Sequence, residues 1–223
     1  MPPDGDLAAF GATWLGWDLR HGAAAAQPDI AALEEVTRTP RKYGFHGTLK
    51  PPFRLRDGVT RAALEQAVEA LAACTAPADC AGLDLKALGR FLALTPQGDQ
   101  SGLARVAAAC VTELDPLRAP ATEAELTRRR QARLSDRQDA LLQQWGYPYV
   151  LDQFRFHLTL TGRLPVDRVT HWMDVVRAHL PDLPVPFGIH QVALVGERSD
   201  GRFELLHRYT LSGSSADSAA ATV

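Results

Sequence analysis

The chain has 223 residues, 46% of them hydrophobic and 22% charged, with a net charge of −2 and a sequence pI of about 6.4. That is chain and apolar material enough for one large domain or two packed lobes around a buried core. The weakly acidic balance excludes the broad basic footprint of a non-specific nucleic-acid binder, while a local pocket for one phosphate group stays open.

The opening residues, Met-Pro-Pro-Asp-Gly-Asp, lack a basic region followed by an apolar one, and no run approaches 18 apolar residues. No signal peptide, transmembrane helix or membrane partner is expected, and the chain reads as cytoplasmic. Residues 9–17 (AFGATWLGW) are apolar and aromatic and fit strand or helix equally. A short helix is expected over 29–37, after Pro28. Residues 43–50 (YGFHGTLK) alternate as a strand, with Phe45, Gly47 and Leu49 on one face and His46, Thr48 and Lys50 on the other; Pro51-Pro52 ends it. A helix from Thr60 carries Leu64, Val68 and Leu71 at helical spacing. Leu83, Leu85 and Ala87 then alternate as a strand, Gly89-Arg90 turns, and Phe91 to Leu94 return. A helix from Ser101 shows the apolar stripe Leu103, Val106, Ala107, Cys110, Val111 and Leu114. Thr122 with Glu125, and Ser135 with Gln138, have capping-box spacing, and Gly146 with Pro148 ends the second of those helices. The run Arg128-Arg129-Arg130 reads as a solvated face, with contact to a substrate phosphate as the alternative. Residues 154–161 (FRFHLTLT) alternate again as a strand. A helix bearing Val169, Trp172, Met173 and Val176 follows, then strands near 187–195 and 203–211 around the hairpin signal Asp200-Gly201. Cys74, Cys80 and Cys110 form no CxxC pair and read as buried free thiols in a reducing compartment. The tail 212–223 is Ser/Ala-rich and expected to fray.

The order strand, helix, strand, turn, strand thus runs twice, and each copy opens alike. Residues 43–49 read YGFHGTL and residues 154–160 read FRFHLTL, so Phe, His, Thr and Leu recur in place with the two histidines 111 residues apart. One His-x-Thr among seven histidines carries little, since about one is expected by chance. Two, each preceded by Phe and followed by Leu in a strand-like setting, point to a duplicated unit. The expected organisation is a single bilobal domain over 1–211: lobe one about 9–100, a helical insertion about 101–148, lobe two about 149–211.

On a strand, residues i and i+2 face the same way, so His46 pairs with Thr48 and His157 with Thr159. Two imidazoles can divide the work of breaking a phosphoester, one neutral and taking a proton, the other protonated and giving one. The threonine hydroxyls can hold phosphoryl oxygens, and Lys50 and Thr161 share those faces if the strands continue. Neither motif carries Asp, Glu or a second His beside its histidine, so no metal is expected. There is no GxSxG elbow, P-loop or GxGxxG, so no triad and no nucleotide cofactor is expected. His21, His171, His179, His190 and His207 have no motif partner.

The paired His-x-Thr-Leu segments resemble the 2H phosphoesterase superfamily. YGFHGTLKPPFRL (43–55), LGRFLAL (88–94), residues 110–150 and FRFHLTLTGRL (154–164) are similar more closely to the DUF1045 family, which is associated with phosphonate metabolism. The resemblance implies a bilobal α+β fold of two duplicated lobes, antiparallel sheets flanking a central cleft. It also implies a metal-independent phosphoesterase acting on cyclic or 2′-linked phosphoesters, with His46 and His157 catalytic and Thr48 and Thr159 on the substrate, a small phosphorylated sugar or nucleotide. Relatives carry an extra N-terminal strand before the region matching FGATWLGW, which this chain does not clearly include. Two alternatives stay open: processing of RNA 3′ ends bearing 2′,3′-cyclic phosphates or 2′–5′ joining, and a non-catalytic module that binds a phosphorylated ligand. The oligomeric state, and which histidine is acid and which base, are not assigned by the sequence.

Overall fold

The computed structural model describes Pro2 and residues 4–214. In chain order it contains α1 (Asp6–Leu15), β1 (Trp17–Asp18), β2 (Ala23–Ala24), α2 (Leu33–Arg41), α3 (Arg61–Cys74), β3 (Ala78–Cys80), β4 (Gly82–Leu88) and β5 (Phe91–Gln97). There follow α4 (Ser101–Glu113), α5 (Glu123–Arg130), α6 (Asp136–Trp145), β6 (Leu158–Thr159), α7 (Val169–His179), β7 (Phe187–Ile189), β8 (Gln191–Glu197) and β9 (Phe203–Thr210). The class is α+β, with small sheets β1–β2, β3–β7, β4–β5–β6 and β8–β9. Two compact units form: the described parts of Met1–Thr48, Asp79–Gln100 and His157–Tyr209 make the first, and Leu49–Ala78, Ser101–Phe156 and the described part of Thr210–Val223 the second. Packing therefore divides the chain differently from the repeat, which divides it in sequence order.

In the first unit the ambiguous segment 9–17 resolves as a helix followed by a short strand. Leu7, Gly11, Trp14 and Leu15 fall at helical spacing and are buried in α1, and Gly16 ends it with φ 74°. Two buried indoles keep their N–H groups satisfied: Trp14 Nε1 donates to Leu160 O at 3.0 Å and Trp17 Nε1 to Phe203 O at 2.7 Å. The expected 29–37 helix lies later, as α2. Pro40 sits inside it and offers no N–H to Val36 O; the Gly162 N–H takes that carbonyl instead, at 2.6 Å. A residue that weakens a helix thereby anchors the chain just beyond β6. The hairpin β4–β5 closes as its turn signal predicts, Leu88 opposite Phe91 around Gly89-Arg90. Leu92, Leu94 and Leu158 bury one face of the three-stranded sheet, and α7, which buries Trp172 and Val176, packs on β4 and β5.

In the second unit Thr60 caps α3, its Oγ1 accepting from Ala63 N at 3.2 Å, and α4 buries the predicted stripe from Leu103 to Val111. Both capping boxes form, at Thr122/Glu125 and Ser135/Gln138, and Gly146 ends α6 in the left-handed conformation. Arg130 pairs with Asp139 at 2.7 Å and Arg129 lies over Tyr147, so two members of the arginine run serve local packing. Cys80 and Cys110 are buried free thiols; Cys74 is exposed, against expectation, because it ends α3, with no further turn to cover it. Ser212 and Gly213 donate to Ala72 O and Thr75 O, at 3.0 and 3.1 Å; the rest of the predicted tail, from 215, lies outside the described residues. Among the described residues no helix is long and apolar enough to cross a membrane.

Candidate active site

The His-x-Thr residues of both motifs, 46–48 and 157–159, lie in the first unit. The expected 43–50 strand is reduced to an extended stretch with one antiparallel bridge, Gly47 to Leu158. It has no longer ladder because its partner, β6, is itself two residues long. β6 pairs on its other side with β5, Thr159 opposite Ala93 and Leu158 opposite Leu94. The Gly47–Leu158 bridge sets the register around it: counting one residue each way, His46 stands opposite Thr159 and Thr48 opposite His157. Directly opposed residues share a face, so the four polar side chains occupy one face while buried Leu158 takes the other. The histidines form the diagonal of this four-cornered set, about 7–8 Å apart at backbone level. The motif segments are thus neighbours on one surface.

The lead into His46 is sterically exacting. Gly44, three residues past the end of α2, has φ 70° and its N–H on Pro40 O at 3.0 Å, and a Cβ there would stand 2.8 Å from Leu19 Cβ. Phe45 is buried against α1 where Gly11 presents no side chain; a Cβ on Gly11 would overlap the phenyl ring. His46 Nδ1 lies 3.1 Å from Gly44 O and Nε2 lies 2.9 Å from Thr48 Oγ1. A carbonyl only accepts, so Nδ1 carries the hydrogen, and in the neutral ring Nε2 accepts from the threonine hydroxyl. Burial pushes His46 down to about 4, and the charge of nearby His157 acts in the same direction. The His157 ring packs at 5.7 Å from that of Phe91, a residue whose role at the site its place in the hairpin did not announce.

The remaining candidates separate. Thr159 is half-buried on the polar face, beside Ala93. Thr161 is 1% exposed, and its Oγ1 accepts the Leu92 N–H at 2.9 Å. The Leu160 and Thr161 N–H groups both converge on Leu92 O, at 2.9 and 3.3 Å, which ends the ladder and takes Thr161 out of the alternation. Lys50 belongs to the second unit. Its side chain is 7% exposed, and Nζ donates to Val111 O at 3.0 Å with Asp115 at 3.7 Å and the Phe53 ring below it. Burial lowers its pKa, against the pull of Asp115. Among the described residues no cluster of three or more His, Cys, Asp or Glu forms a metal-ligand set.

The sequence profile described as "Protein of unknown function (DUF1045)" matches residues 48–204, which takes in His157 and Thr159 and begins two residues after His46. A Janthinobacterium sp. (strain Marseille) protein named Ribose 1,5-bisphosphate phosphokinase PhnN is 42% identical over 169 residues, covering 72% of this chain and 37% of that protein. A protein of the same name from Laribacter hongkongensis (strain HLHK9) is 35% identical over 182 residues, covering 80% of this chain and 42% of its own length. The chain therefore spans about two-fifths of these curated relatives. With the profile extending over most of its length, the chain belongs to the DUF1045 family.

Proposed function

We propose that this chain is a phosphodiesterase of the 2H type, opening a small cyclic phosphate with His46 and His157 as the acid–base pair and with no need of a metal. The observation that supports this reading is the Gly47–Leu158 bridge, in whose register His46 falls opposite Thr159 and Thr48 opposite His157. Thr48 and Thr159 hold phosphoryl oxygens, and Thr161 supports the fold around Thr159 by accepting the Leu92 N–H. The kinase name belongs to relatives more than twice as long as the segment matched, and this chain contains no GxxxxGK[ST] loop to cradle a nucleotide's phosphates. We take from that name the substrate class, a ribose phosphate, and assign the kinase chemistry to the part of those relatives that this chain does not match. Opening a 1,2-cyclic phosphate of ribose 5-phosphate at the C2 oxygen gives ribose 1,5-bisphosphate, the compound in the relatives' name. Such a role suits the phosphonate metabolism that the family resemblance implies.

The test is turnover, with EDTA present throughout, on ribose 1,2-cyclic phosphate with and without a 5-phosphate, 2′,3′-cyclic nucleotides and a short RNA ending in a cyclic phosphate. The phosphorylated ribose is expected to be the best substrate, and His46→Ala and His157→Ala to lose roughly 10²–10⁴-fold each. Ligand binding without turnover in the wild type would replace the enzyme with a binding module; preference for the RNA would replace the sugar.

A further inference from the structure

We propose that Arg202 is the anchor for a second, non-reacting phosphate of the substrate, so that the tip of the β8–β9 hairpin selects a sugar phosphorylated at its far end. This rests on the phosphodiesterase reading and deepens it. Two arginines of that tip lie on one indole: the guanidinium carbon of Arg202 is 4.6 Å from the centre of the buried Trp17 ring, and that of Arg198 is 5.8 Å from it. The two are not equivalent. Arg198 commits its donors to Glu204 at 3.1 Å, to Asp200 at 3.4 Å and to the Gly22 carbonyl at 3.1 Å. A third carboxylate, Glu197, is taken by Lys42 at 3.0 Å. Arg202 donates to Asp200 only through its backbone N–H, at 3.0 Å, and Asp200 feels the charge of its side chain without pairing with it. Among the described residues, then, the Arg202 guanidinium rests on Trp17 and keeps its N–H donors.

A guanidinium stacked on an indole is already fixed in its plane, and its forked donors match two oxygens of a phosphate. Arg202 is half-buried, so the fork is both held and within reach of a ligand.

The same indole ties this cation to the motif. Trp17 fixes the start of β9, its Nε1 donating to Phe203 O at 2.7 Å, while Phe203 N donates to Lys42 O at 3.0 Å. Trp17 Cδ1 lies 3.2 Å from where a Cβ on Gly44 would stand, and Gly44 O accepts from His46 Nδ1 at 3.1 Å. One indole and one glycine therefore separate Arg202 from His46. A pentose ring is an object of that size, with a 1,2-cyclic phosphate at one end and a 5-phosphate at the other.

The test compares ribose 1,2-cyclic phosphate with and without the 5-phosphate, at one fixed ionic strength, in the wild type, Arg202→Gln, Arg202→Lys and Arg198→Gln. In Arg202→Gln the KM for the 5-phosphorylated sugar is expected to rise roughly 10–100-fold with kcat little changed, and the KM for the plain sugar to stay where it was. Lysine keeps the charge without the fork and should recover part of the loss. Arg198→Gln should lower the unfolding midpoint and leave the ratio of the two KM values unaltered. An equal rise on both sugars makes Arg202 a packing residue of Trp17 and overturns the proposal, as does no rise on either, or a ratio that moves with Arg198 instead. If Arg202→Gln does not fold, the wild-type ratio and Arg202→Lys still decide. Isothermal titration of the full chain with ribose 5-phosphate separates this site from the reading beneath it. Binding that Arg202→Gln abolishes, in a protein that turns over neither sugar, keeps the phosphate site and overturns the phosphodiesterase. Turnover by a wild type indifferent to the 5-phosphate keeps the phosphodiesterase and overturns the site; neither turnover nor binding overturns both.

Discussion

At the scale of the residue, the two threonines Thr159 and Thr161 show how little a shared alternation says about a shared job. Thr159 keeps its place on the polar face, opposite His46. Thr161 supplies its hydroxyl to the Leu92 N–H where the Leu160 carbonyl would ordinarily serve, and that carbonyl goes to Trp14. Thr161→Val should therefore strand a buried donor and cost about 1–3 kcal/mol of stability in urea unfolding, with KM little changed. Thr159→Val should leave the unfolding midpoint nearly where it was and raise KM or lower kcat. If both variants behaved alike in both assays, the separation of their roles would be wrong. Lys50 gives the same lesson by a different route: its place in YGFHGTLK suggested a phosphate ligand, yet its ammonium is enclosed by Val111 O, Asp115 and Phe53. Pro51-Pro52 ends the extended stretch immediately after it, so the face established by His46 and Thr48 does not carry on to position 50.

Among the elements, those governed by neighbours in sequence were legible. The capping boxes at Thr122 and Ser135 need only residues three apart, the α4 stripe needs only a period, and Gly89-Arg90 needs only a turn. The motif strands were not, because a strand exists only where a partner does; alternation told which residues could share a face but not that the ladder would shrink to Leu158–Thr159 and a bridge at Gly47. What the repeat did carry was the contact of His46 with Thr48, two residues apart. α1 shows the dependence of the site on a remote element. Gly11 lets Phe45 lie against the helix one residue before His46. Gly11→Ala is expected to destabilise by about 1–3 kcal/mol through overpacking, despite the better helix propensity of alanine, and to reduce kcat by moving His46. A more stable, fully active variant would show that Phe45 does not set the position of the histidine.

For the molecule as a whole, the burial of His46 should make stability depend on pH. His46 is held at about 4 against an ordinary value of 6.5. Between those values the unfolded chain binds a proton that the native state refuses, so native stability should fall as the pH drops from 6.5 towards 4 and be fully present above 6.5. Carboxylates held below their ordinary value of 3.8, such as Asp139 beside Arg130 and Asp18 beside His21 and Arg20, act in a separate window, below that value. Urea midpoints measured at pH 7 and pH 5 should differ in the wild type and lie closer together in His46→Asn; an equal difference in both would place the pH dependence elsewhere.

The bridge between Gly47 and Leu158 also has a meaning in time. Its two ends are separated by more than a hundred residues of chain, so the entropy of closing a long loop must be met before any of the four groups around it come together. On a growing chain, the first histidine is synthesised with its proton already directed by Gly44 and then waits through the making of β4, β5 and all of α4–α6. A chain that stops short of His157 can complete helices, caps and a hairpin and still hold only one of the two imidazoles.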